Sequence, residues 1–300
     1  MKLKLALVKF LLKSKRRLTV LRIKLTRKVN GKHFQLQREG KKSIEAYIYS
    51  PQNNVSEATK MPLLINVHGG AWIMNDAIVM DSMCQTLSDK LGALVVNVNY
   101  KKADEEAFPY PQYEICDTVK YFLCYADHFK IDPDRVILMG YSAGAHLCAA
   151  AVQMLREEGI KVDRQVLCYP FTDFTYGGGT QTEIMETIDT VEFIDEVMFC
   201  NIAKDHVISS PAQNPDLSDL PATIITTCEN DSLRVQGDFY AERLAEAGIK
   251  VDLLHYEGSI HGYLECNWPE TLKDASKNSE QEAICKKTID DIVRILNNNS

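Results

Sequence analysis

The chain has 300 residues, 45% of them apolar and 25% charged, the balance of an ordinary globular protein of one large α/β domain carrying an insertion, or of two small domains. Its formal net charge is −7, with no basic patch in the body, which argues against a nucleic-acid partner. Nine cysteines are scattered without a C-x-x-C pair, which argues against a disulfide framework or a zinc site and for small core side chains in a reducing compartment.

The charge is unevenly spread. Residues 1–42 hold 15 Lys or Arg against a single acid, Glu39, and the remaining residues hold 19 basic and 40 acidic side chains. Residues 1–28 mix Lys2, Lys4, Lys9, Arg16 and Arg17 with Leu5, Val8, Phe10 and Leu12. The apolar runs are too short for a secretory leader and too interrupted by charge to span a bilayer. Two readings stay open. The segment is a basic amphipathic helix on an anionic membrane surface, or it folds back as a lid over the chain's own active site. The lid is the favoured expectation, with residues 1–42 a basic N-terminal cap and residues 43–300 the main domain.

Ser43-Ile-Glu-Ala-Tyr-Ile-Tyr-Ser50 alternates polar and apolar residues, the period of an edge or near-edge antiparallel strand. Pro62–Val67 reads as a buried strand running into His68-Gly-Gly-Ala-Trp72. A helix is expected from about Asp76 to Leu91, ended by Gly92, followed by a strand over Ala93–Tyr100 and a helix over Gln112–Phe129. Val136–Met139 is a short buried strand, Gly140-Tyr-Ser-Ala-Gly144 a break, and Ala145–Met154 a small-residue helix. After a strand over Gln165–Tyr169 the rhythm stops. Residues from about 170 to 220 read as a cap insertion, with a joint at Gly177–Gly179 and an apolar, acidic helix over Thr190–Asn201. The rhythm resumes with a strand at Ala222–Cys228, a helix at Leu233–Ala247, a strand at Lys250–Tyr256 and a final helix from about Glu280 to Leu296. Buried strands alternating with helices predict a mostly parallel sheet with right-handed crossovers.

Strand, G-x-S-x-G, helix is the pattern of a nucleophile elbow. The turn is too tight for side chains two residues before and after Ser142, hence Gly140 and Gly144. Ser142 projects from the tip, and the Ala143 N–H lies at a helix N-terminus where a developing anion is favoured. A serine nucleophile requires a base and an orienting acid at the ends of later strands. Asp231 follows the strand at 222–228 and His261 follows the strand at 250–256, in the order expected. Glu229 is the alternative acid. His146 reads as structural, and His33, His128, His206 and His255 have no supporting motif. The glycines of His68–Trp72 suit an oxyanion turn, with donors at Gly70, Ala71 and Ala143 and Gly69 as a further candidate.

From about residue 43 to 297 the chain resembles the hormone-sensitive-lipase-like branch of the α/β-hydrolases, the bacterial acetyl esterase and lipase group. His68–Trp72, Tyr100 through Phe108-Pro-Tyr-Pro111, Ile131–Arg135, Gly140–Gly144, Asp231–Arg234 and His261–Tyr263 carry the resemblance. It implies an α/β-hydrolase fold, a serine carboxylesterase acting on small-molecule esters with no metal or cofactor, and a cap made of the N-terminal segment and the insertion. Ala71 departs from the family's usual third glycine, Tyr141 from a common acid, and the residue after Asp231 from a common proline. Gly144-Ala-His146 looks closer to members acting on acylated sugars, so the expected reaction is hydrolysis of short-chain, acetyl-like esters in the cytoplasm. An amidase or peptidase of the same fold, and a ligand-binding homologue without catalysis, are the competing readings. Substrate-binding residues and a homo-oligomer are left open.

Overall fold

A computed structural model describes residues 2–52, 60–176, 197–266 and 279–298. Eight strands form one sheet: β1 (Lys32–Arg38), β2 (Lys41–Tyr49), β3 (Met61–Val67), β4 (Leu94–Asn99), β5 (Ile131–Tyr141), β6 (Arg164–Cys168), β7 (Ala222–Asn230) and β8 (Val251–Ile260). Their spatial order is β1-β2-β4-β3-β5-β6-β7-β8. β1 and β2 are antiparallel to each other, β2 is antiparallel to β4, and every later pairing is parallel. This is the mostly parallel sheet expected from the alternation of elements, in the α/β-hydrolase architecture that the resemblance implies. β2 sits one place in from the edge, as its alternating pattern predicted. β1 was not anticipated: only Leu36 of its seven residues is buried, so its apolar signal is weak.

The sheet is covered on both faces. In β3, Leu63, Ile65 and Val67 join one core cluster and Leu64 the other, and Leu138 of β5 opposes Ile137 and Met139 in the same way. A strand buried on both sides reads as an unbroken apolar run because neither face meets water. Among the described residues, α3 (Tyr110–Cys124), α5 (Ala143–Glu157) and α6 (Arg234–Glu246) pack on the first face, and α2 (Asp81–Leu91) and α8 (Ser279–Asn298) on the second. α8 buries Cys285, Ile289, Ile292 and Leu296, the stripe that its 3.6-residue period marks out.

Two helix expectations change in detail. The helix expected from Asp76 is a 3-10 turn, Ala77–Met80, capped by the Asp76 side chain on the Ile78 N–H, and α2 proper begins at Asp81. It ends at Gly92, whose φ of 60° is the left-handed stop that glycine adopts at no steric cost. The helix expected over Gln112–Phe129 is interrupted at Tyr125, so that α3 is followed by the single turn α4 (Ala126–Phe129).

Residues 2–26 form one helix, α1 (Lys2–Thr26). It buries Ile23 and packs Val8, Leu12 and Val20 against the body. Arg16 fastens it to the loop beyond Trp72, donating to Ile73 O at 2.5 Å and bidentately to Asp104 at 3.0 Å. No helix among the described residues is long and apolar enough to cross a membrane. The Gly177–Gly179 joint and most of the Thr190–Asn201 helix lie outside the described residues. The described end of that stretch packs inward, with Val197 and Met198 buried and Met198 O accepting from the Phe108 N–H at 3.0 Å.

Candidate active site

β5 runs down the middle of the sheet and turns sharply into α5 at Ser142. Ser142 sits at φ 51° and ψ −116°, a region that costs an L-residue on the order of 1–3 kcal/mol. The surroundings hold it there. Its N–H donates to Cys168 O at 2.9 Å, and its carbonyl accepts from His146 N at 3.1 Å. A Cβ on Gly140 would overlap the backbone of Gly144, and one on Gly144 would overlap the carbonyls of Val67 and His68 at the end of β3. The two glycines therefore serve different contacts: the first lets the turn close on itself, and the second lets α5 approach the neighbouring strand.

Asp231 and His261 meet because of strand register. β7 and β8 pair in parallel, with Asn230 opposite Ile260. The next residue of each strand leaves the sheet edge side by side. His261 Nδ1 lies 2.7 Å from Asp231 Oδ2, and its Nε2 lies 2.9 Å from Ser142 Oγ. Ionised Asp231 can only accept, so the imidazole proton sits on Nδ1, and Nε2 presents a lone pair to the serine hydroxyl. The Asp231 side chain is 1% exposed and also accepts from Leu233 N, while the His261 side chain keeps 20% exposure. Tyr169 backs the imidazole edge-on at 5.1 Å. Glu229, the alternative acid, points elsewhere and accepts from Gly258 N at 2.7 Å.

The turn after β3 holds the candidate backbone donors. Gly70, Ala71 and Trp72 have φ of 116°, 48° and 61°, three successive positive values. The turn closes through Met74 N to Gly70 O at 2.8 Å. Ala71 occupies a left-handed conformation that glycine enters freely, which is the physical reason a third glycine is usual there. Gly70 and Ala71 have N–H groups without a hydrogen-bond partner among the described residues. Gly69 differs: its N–H donates to Glu265 Oε1 at 2.8 Å. That removes it as a donor, because one N–H cannot serve both the carboxylate and a substrate oxygen.

Glu265 was not identified as a site residue. It lies on the one-turn helix α7 (Tyr263–Cys266), one turn beyond His261, and is buried beneath the oxyanion turn. Burial pushes its carboxyl above the usual range, opposed by the Gly69 N–H. Its only sequence signal was an acid inside an otherwise apolar Tyr263–Cys266.

The remaining histidines divide as expected. His146 is fully buried; Trp72 Nε1–H donates to its Nδ1 at 3.2 Å and its Nε2 donates to Ser209 O at 2.8 Å. Burial lowers its pKa to about 4, so the ring is neutral and structural. His68 is likewise buried and held well below the ordinary histidine range, stacked on Tyr100 at 4.6 Å with its Nδ1–H on Gly69 O. His33 pairs with Glu45, His255 with Thr227, and exposed His128 and His206 stand apart from Ser142 in the chain's loops and short turns. The cysteines at 148, 168 and 228 are buried thiols.

Proteins similar to this chain include esterases. The α/β hydrolase fold family matches residues 64–265. An arylesterase of Saccharolobus solfataricus is 31% identical over 242 residues, covering 76% of both chains. Carboxylesterase NlhH of Mycobacterium tuberculosis is 29% identical over 214 residues, 68% of this chain and 67% of its own. Among solved structures, a bacterial heroin esterase superposes with a TM-score of 0.75 at 25% identity, covering 95% of this chain and 92% of that one. With the family matched from the middle of β3 into α7, and the sheet order and elbow described above, the chain belongs to the α/β-hydrolase family.

Proposed function

We propose that the chain is a serine carboxylic-ester hydrolase in which Ser142 is the nucleophile, His261 the general base and acid, and Asp231 the orienting acid. The observation that carries this reading is the hydrogen-bonded line from Ser142 Oγ through His261 to Asp231. As the Oγ attacks the ester carbonyl, its proton passes to His261 Nε2, and Asp231 stabilises the imidazolium. The carbonyl oxygen becomes an anion facing the N–H groups of Gly70, Ala71 and Ala143, each such donor contributing about 3–4 kcal/mol to the transition state. His261 then gives the proton to the leaving alkoxide, and an acyl-Ser142 ester remains. Water activated by the same imidazole releases the acid. The names of the arylesterase and carboxylesterase relatives agree with this chemistry.

The finer reading is a short, acetyl-like acyl group. It rests on the motif resemblance. The lean towards an acylated sugar rests on Gly144-Ala-His146 alone, and the His146 ring is buried and engaged by Trp72 Nε1 and Ser209 O rather than by Ser142 Oγ. Hydrolysis of p-nitrophenyl esters from acetate to palmitate tests the whole reading. The expected result is a rate highest at acetate or butyrate in the wild type and abolished in Ser142→Ala with the fold retained. An active Ser142→Ala variant would refute the nucleophile, and a maximum at palmitate would refute the short acyl group.

A further inference from the structure

α1 has two apolar faces, and among the described residues the body uses only one. Val8, Leu12 and Ile23 point at the core, with Arg16 on the same side. Leu7, Phe10, Leu11, Leu18, Leu21 and Leu25 are 54–77% exposed. At about 100° per residue these six fall within an arc of roughly 100°, nearly opposite the packed face, along most of a helix about 37 Å long. Scattered exposed leucines need no explanation, whereas six aligned on one helix make a contiguous surface.

The flanks of the stripe are cationic. Lys13, Arg17 and Lys24 are exposed on one side and Lys15 and Arg22 on the other, and α1 contains no acid. We propose that α1 is a docking helix that lies in the plane of an anionic lipid bilayer. The leucines and Phe10 would enter the boundary between headgroups and acyl chains, and the lysines and arginines would meet lipid phosphates. Three observations select this occupant. The charge density rules out a bilayer-crossing role and suits an interfacial one. A second copy of the chain docked through the same stripe would bring two acid-free cationic helices together, at a repulsive cost. The charge of the whole molecule is polar in the same sense, because residues 1–42 hold 15 basic side chains against one acid while the rest holds 40 acids against 19 bases. An anionic surface therefore attracts α1 and repels the body. The Arg16 clamp to Ile73 O and Asp104 keeps this face fixed beside the turn that carries Gly70 and Ala71.

Flotation of the full chain with vesicles tests the proposal. Phosphatidylcholine vesicles containing phosphatidylglycerol should carry the protein upward at low salt, and added NaCl should release it. Vesicles of phosphatidylcholine alone should carry at least about tenfold less. The double variant L18E/L21E, whose positions are 66% and 54% exposed, should lose flotation by a similar factor while its thermal unfolding midpoint stays that of the wild type. Absence of flotation on phosphatidylglycerol vesicles at low salt would overturn the proposal, as would undiminished flotation of L18E/L21E or equal flotation on phosphatidylcholine alone. A dimer in vesicle-free solution that L18E/L21E dissociates would also overturn it, by assigning the stripe to a second copy.

Discussion

The Gly69 N–H donates to Glu265 Oε1 at 2.8 Å, joining the oxyanion turn to the segment that carries His261. Gly69 opens that turn, and its N–H must be satisfied because it is buried. The carboxylate satisfies it and so fixes the direction in which the Gly70 and Ala71 N–H groups point. Glu265→Gln keeps an acceptor in place, and its kcat should stay near the wild type. Glu265→Ala orphans the N–H at a cost of about 1–3 kcal/mol and should lower kcat about tenfold or more. Steady-state kinetics on p-nitrophenyl acetate decide between them, and an alanine variant with wild-type kcat would dissolve the link.

The orienting acid can be tested against its neighbour. Asp231→Asn leaves the geometry but favours the wrong imidazole tautomer, so kcat should fall on the order of 10³–10⁴-fold with the unfolding midpoint little changed. Glu229→Gln should leave kcat alone, since Glu229 holds the Gly258 N–H and not His261. Comparable losses in both variants would mean that the acid is shared.

Acid should weaken the fold through His146. Its folded pKa of about 4 lies below the ordinary value of 6.5, so the unfolded chain takes up a proton that the folded one refuses. The stabilisation is whole above pH 6.5 and is lost as pH falls from there towards 4, by up to about 3 kcal/mol. His68, also held low by burial, acts in the same direction. Urea unfolding between pH 7.5 and pH 4 should show the fall. In His146→Gln the starting stability should be lower and the slope shallower, and an unchanged slope would place the effect elsewhere.

Arg16 is the anchor of α1. Its guanidinium and the Asp104 carboxylate are 10% and 2% exposed, so removing one leaves the other poorly hydrated. Arg16→Met should loosen α1 by about 2 kcal/mol and expose residues 1–30 to trypsin at a visibly faster rate. Lys13→Met breaks only a half-exposed 3.7 Å contact with Glu105 and should cleave like the wild type. Equal cleavage of Arg16→Met and wild type would show that apolar packing alone retains the helix.

Much of the molecule was readable in one dimension, and the physical reason is local. A strand buried on both faces reads as a largely apolar run, as at Val136–Met139 and, with Asn66 the exception, at Pro62–Val67, and a turn that cannot hold a side chain must be glycine, as at Gly140 and Gly144. Parallel register then converts chain order into proximity: Asp231 and His261 follow paired strands, so their meeting was implied once both strands were recognised. Contacts that local pattern does not encode were decided by the tertiary structure. β1 has one buried residue, too little periodicity to read. Glu265 looked like any glutamate until burial placed it under Gly69, and that contact alone withdrew Gly69 from the oxyanion donors. The basic, leucine-rich start of the chain predicted an amphipathic helix but not which of its faces would be covered. Only the packing of Val8, Leu12 and Ile23 on the body, with Arg16 drawn to Asp104, determined that the opposite row of leucines faces outward.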